Sequence, residues 1–117
     1  MTPNYNIIRS AAINGRQITF NYNGYPREAC PHVVGRKNGL EKLLFFQFGG
    51  QSSKGLPEGG EWRCAFVSEI FDLKVHDGPW FSRDSHKRPQ TCVDFIDVEV
   101  RSSDDGHYTP YINAAYS

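Results

Sequence analysis

Three Asn-Gly dipeptides, at 14–15, 23–24 and 38–39, punctuate the first forty residues and dictate how this chain turns. Both residue types tolerate positive φ, so a two-residue Asn-Gly step between extended segments reads as a tight hairpin turn. Between the first two dipeptides, residues 16–22 alternate. Ile18, Phe20 and Tyr22 point one way, and Gln17, Thr19 and Asn21 the other. That period of two marks a half-buried strand. A second strand is expected over 27–34, where Pro31 implies an edge position or a bulge. After Asn38-Gly39, the run Leu43, Leu44, Phe45, Phe46 and Phe48 is the most apolar in the chain and reads as a buried strand.

Further along, residues 49–61 hold five Gly, one Pro and two Ser, the composition of a long surface loop. Two more strands are expected at 62–67 and 70–76, separated by the Ser68-Glu69 step. Gly78-Pro79 then breaks the chain, 82–90 is polar and irregular, and 91–101 reads as a last strand or a mixed segment. Ahead of all these, Ile7, Ile8, Ala11 and Ala12 share one helical face. Asn4 or Asn6 would cap that helix and Asn14-Gly15 would end it. One helix followed by five or six short strands normally closes into a small barrel or a sandwich. The expected fold is mainly β, a barrel of about five strands with an N-terminal α-helix and a C-terminal extension.

With 117 residues, there is room for one domain, expected over 1–101, with 102–117 as a surface tail. Aromatics make up 14%, which suits packing on a pleated surface. Thirteen basic and thirteen acidic side chains cancel. General nucleic-acid binding relies on excess positive charge, so an anionic partner would have to be held by a local cluster. No apolar run approaches the ~20 residues that cross a bilayer, and residues 1–6 lack a leader's apolar core, so the expected location is cytoplasmic with no membrane partner. Three cysteines without CxxC spacing are expected to be buried free thiols.

At this level the residues resemble the WYL domain family, which begins with a short helix running into a strand of the form I-x-F-x-Y. Here residues 11–22 read AAINGRQITFNY. A proline-bearing strand and a turn glycine follow, similar to Arg27 to Pro31 and then Gly39. The family's naming Trp-Tyr-Leu stands here as Lys42-Leu43-Leu44, keeping only Leu. Its closing Arg-led strand is similar to residues 62–70, where Arg63, Val67 and Ile70 match. Phe66 and Glu69 replace expected basic residues. The resemblance covers residues 7–76. It implies an Sm-like small β-barrel that binds a nucleotide, a short single-stranded nucleic acid or another small anion and serves regulation, including transcriptional regulation. The winged-helix domain that most relatives carry ahead of the barrel is not in this sequence.

Four residues are candidate ligand contacts. Arg63 shares a face with Ala65 and Val67, so its guanidinium must reach an open end or find an acidic partner, with Glu61, Glu69 and Asp72 in range. Tyr22 offers a hydroxyl or a stacking face at the end of its strand. Arg27 and His32 flank Pro31, on opposite faces of a regular strand, but a bulge would bring them together. Two basic clusters stand as solvated turns or phosphate contacts: Arg36, Lys37 and Lys42, and Arg83, His86, Lys87 and Arg88 beside Trp80 and Phe81. Cys30, His32 and Cys64 are too few for zinc, which needs four ligands. No nucleophile elbow, HExxH or Walker loop appears, so neither enzymatic activity nor a cofactor is expected. The competing reading is a structural or interaction module, with Tyr108, Tyr111 and Tyr116 packing on a second copy in a homodimer.

Overall fold

Thr2 opens the first element of the computed structural model, which describes residues 2–52, 55–57, 59–82, 90–102 and 108–113. Its hydroxyl accepts the Tyr5 N–H and caps helix α1 (Pro3–Ile13). Pro3 suits the first turn, where an N–H would be unsatisfied anyway. The cap is therefore Thr2, one residue before that proline, in place of Asn4 or Asn6. Asn14 and Gly15, the latter at φ 65°, end the helix as expected. Ile8, Ala11 and Ala12 are buried together with Tyr5, while Ile7 stays exposed.

Strands β1 (Gln17–Tyr22), β2 (Tyr25–Lys37) and β3 (Leu40–Gly50) form an antiparallel meander. Its turns are Asn23-Gly24 at φ 52° and 81° and Asn38-Gly39 at φ 51° and 80°. Positive φ at both central residues is what a type I′ hairpin turn requires. β4 (Glu61–Phe66) follows, then one 3-10 turn (Val67–Glu69) at the Ser68-Glu69 step, then β5 (Phe71–His76). The chain ends in β6 (Phe95–Ser102) and β7 (Tyr108–Ile112). The tail therefore contributes a strand of its own.

These strands build one antiparallel sheet in the order β4-β3-β2-β1-β5, with β6 added to β2 and β7 to β6. Residues 25–29 of β2 pair with β1, and residues 33–36 pair with β6. The register shifts between Pro31 and Val33, the bulge that Pro31 foretells, where the change of partner falls. The expectation of a closed barrel of about five strands is corrected. The sheet has seven strands, and β4 and β5 end its path without pairing to each other. The core is sealed by α1, which packs on β2 and β6, so burial does not depend on a closed seam.

Ile18, Phe20, Ala29, Leu43, Phe45 and Val98 lead the buried face beneath α1. Asp97, fully buried, accepts from Tyr5 Oη at 2.7 Å and from Arg9 Nε at 2.8 Å, tying helix to β6. The opposite face carries a smaller cluster of Val33, Leu44, Cys92 and Val93, flanked by Trp62. There Cys64 and Cys92 form a disulfide, with Cα atoms 5.9 Å apart. Two of the three expected free thiols are thus paired, across 28 residues of sequence that spacing alone does not connect. Among the described residues no helix is long and apolar enough to cross a membrane.

Candidate functional site

Four strands deliver polar side chains to one end of the helix-covered face. β1 alternation carries Tyr22 to its last position. The Asn23-Gly24 turn then sets Arg27 opposite Phe20. Gln47 stands opposite both Ala29 and Glu61, and Arg63 stands opposite Phe45. Tyr22, Arg27, Gln47 and Arg63 therefore meet because each occupies an inward position of its strand.

Arg27 is the innermost cation, 5% exposed. Its Nη1 donates to Gln47 Oε1 at 3.2 Å and its Nη2 to the Tyr22 carbonyl at 3.1 Å. The guanidinium carbon lies 5.7 Å from the Tyr22 ring centroid. Among the described residues no carboxylate pairs with it, and its Nε is buried without a partner. Burial, and then the neighbouring charge of Arg63, lower its proton affinity below the ordinary value. A buried charge usually has an opposite charge beside it. Among the described residues, this one has neutral acceptors and a like charge.

Arg63 forms the rim. Its Nη2 meets Glu61 Oε2 at 2.6 Å, Ser52 Oγ at 3.1 Å and the Gly55 carbonyl at 3.2 Å. The acidic partner is Glu61, the first of the three anticipated. Its carboxylate is 47% exposed, against 20% for the arginine side chain. Gln47 Nε2 donates to the carbonyls of Gly49 and Gln51, so the glycine-rich segment after β3 is tied down beside the two guanidiniums. Tyr22 Oη accepts the Phe66 N–H and donates to Glu69. Burial raises its pKa most, and the Phe66 hydrogen bond opposes that rise. Beside the cluster, an open cleft of about 650 Å³ has Arg27, Lys74, Glu28, Asp72, Asn21 and Gly50 in its wall.

His32 does not join this group. The bulge at Pro31 leaves it on the other face, between Trp62 and Trp80 at ring separations of 4.5 and 4.8 Å. Its Nδ1 lies 2.8 Å from the Cys30 carbonyl, which can only accept, so that nitrogen carries the proton. Nε2 faces Ser82 Oγ. The Cys30 thiol accepts the Phe81 N–H, and burial pushes its pKa up to about 11. Cys64, bound to Cys92, is removed from any set with Cys30 and His32.

Around the Asn38-Gly39 turn, Lys37 donates to the Thr91 carbonyl and Lys42 lies 4.3 Å over the Phe66 ring. The cluster of Arg83, His86, Lys87 and Arg88 lies outside the described residues, as does Tyr116. Gln47 was not anticipated. Its signal was a polar residue at the inward position two beyond Phe45, inside an apolar run. Chemically the cluster offers fixed N–H donors and an aromatic face, suited to holding an oxyanion. No protein-family model, curated protein or solved structure matches the chain.

Proposed function

We propose that this protein is a non-catalytic ligand-binding domain of the WYL-like type. Its ligand is a small anion, whether a nucleotide, a short single-stranded nucleic acid or another oxyanion. Arg27 and Arg63 supply the charge, Gln47 orients Arg27, and Tyr22 supplies the ring. The observation that carries this reading is the buried Arg27 guanidinium, which among the described residues has a second arginine for company and no carboxylate paired with it. An anion would relieve both the desolvation and the repulsion. Zero net charge fits recognition by such a local pair.

An open, Sm-like arrangement of the strands is the finer reading of the fold. It is supported by the order β4-β3-β2-β1-β5 behind an N-terminal helix, with one 3-10 turn linking the two end strands. A regulatory role in the cytoplasm belongs to the same proposal. The alternative, an interaction module, draws support from the Arg63–Glu61 pair and from the exposed Phe71, Tyr111 and Ile112 on edge strands. In that reading a second copy is the natural partner.

The test is fluorescence anisotropy with labelled short oligonucleotides, and competition by nucleotides and inorganic phosphate, on the wild type, Arg27→Met and Arg63→Ala. Saturable binding that weakens with salt and disappears in both folded variants supports the anion site. Binding that survives both substitutions moves the site elsewhere, and no binding at all favours the interaction module.

A further inference from the structure

Cys64 lies in the middle of β4, a strand that among the described residues is paired on one side only, by β3. The residue is exposed, whereas Cys92 is 4% exposed. A thiolate arriving from solvent therefore has one sulfur within reach. Cys92 Sγ lies 3.4 Å from the Leu43 carbonyl, an acceptor in place for a thiol if the bridge opens. Cys30 is a separate group, buried beneath the Phe81 amide.

We propose that Cys64 and Cys92 form a reversible thiol–disulfide exchange site whose co-reactants are dithiols in one direction and small disulfides in the other. One thiolate of a dithiol attacks Cys64 Sγ. The Cys64–Cys92 bond breaks and Cys92 leaves as a thiolate that takes up a proton. The second thiol then attacks the reductant's own sulfur in the mixed disulfide and expels Cys64. Two electrons and two protons pass from the dithiol, which becomes a disulfide, to the cysteine pair. Among the described residues β4 has a single strand neighbour, so the bridge adds to a small set of further holds that includes the Phe66 N–H to Tyr22 Oη hydrogen bond. Reduction loosens β4, and with it Arg63, while β1 and β2 keep their partners on both sides.

The folded protein is equilibrated in glutathione buffers of graded redox ratio, acid-quenched and digested without reduction. The expected result is a Cys64–Cys92 linked peptide in oxidising buffer that dithiothreitol removes without denaturant and that returns on reoxidation. In the reduced protein, iodoacetamide labels Cys64 first and leaves Cys30 unlabelled. Amides of β4 exchange about tenfold faster or more, and those of β1 and β2 are unchanged. Cys64→Ser shows the same exchange pattern in oxidising buffer. Absence of the linked peptide at every ratio overturns the proposal, as does a bridge that dithiothreitol opens only after unfolding. Labelling of Cys30 alongside Cys64 overturns it too, because the bridge would then be holding the whole fold. None of these readouts requires an anion to bind.

Discussion

Replacing Arg27 by Met distinguishes a guanidinium kept for a ligand from one kept for the fold. Met preserves an unbranched apolar stem beside Tyr22 and removes the charge. The loss is two hydrogen bonds to neutral acceptors, Gln47 Oε1 and the Tyr22 carbonyl. At about 1.5–3 kcal/mol each for a charged donor, that is about 3–6 kcal/mol. The gain is relief of the buried charge, several kcal/mol after relaxation, together with relief from Arg63. These oppose each other, so the unfolding free energy should move by less than about 2 kcal/mol in either direction. Asp97→Ala is the contrast. It strips a fully buried carboxylate from Tyr5 Oη and Arg9 Nε and should cost about 3–5 kcal/mol. Urea denaturation in phosphate-free buffer, followed by tryptophan fluorescence, gives both values. With anion at 100 times Kd, the wild type should gain about 2.7 kcal/mol and Arg27→Met nothing. A loss of about 4 kcal/mol or more for Arg27→Met at unchanged m-value would refute the reasoning, since the guanidinium would then be a compensated structural group.

Two further outcomes follow from the packing and the titrating groups. A Cβ at Gly35 would overlap the Phe95 carbonyl and the Val93 side chain, so Gly35→Ala must push β6 away from β2. The expected cost is about 2–4 kcal/mol with loss of amide protection along β6, measured by denaturation and hydrogen exchange. The folded pKa of Cys30 is raised to about 11, so the stability it contributes is present below about pH 9 and is lost as pH rises toward 11; Tyr22, also raised, contributes stability that is lost only above its ordinary tyrosine range. The Cys30 share is about 2–3 kcal/mol, and urea midpoints across this range should fall less steeply in Cys30→Ala.

How much the sequence revealed depended on whether the governing interaction was local. Both type I′ turns, the alternation through Ile18, Phe20 and Tyr22, the Pro31 bulge and the end of α1 are consequences of residues close in the chain, and all were legible. The barrel was not, because closure depends on whether β4 meets β5 and on where residues 95–102 find a partner. β6 lies along β2, a choice made by bulge geometry and helix packing. Tyr22, Arg27 and Arg63 do come together, since each sits on the inward phase of its strand. His32 lies apart from these three because an extra residue at the bulge fixes its face, and that direction cannot be counted from sequence. The pairing of Cys64 with Cys92 was not legible for the same reason that the place of Gln47 was not. Their partners are set by cross-strand neighbours far away in the chain.

The two arginines occupy unequal places, and that inequality suits a binding role. β2 is paired on both sides, so Arg27 is held by the frame of the sheet and by acceptors that need not move. Among the described residues β4 has one strand partner, and the carboxylate on Arg63 is half exposed. An incoming anion must compete with Glu61 for Arg63, and, among the described residues, with no ion pair for Arg27. Exposed ion pairs contribute only about 0–1 kcal/mol, so that competition is weak. A fixed inner cation thus sets where the anion lies. The outer one, already practised at holding a carboxylate, exchanges partners at little cost.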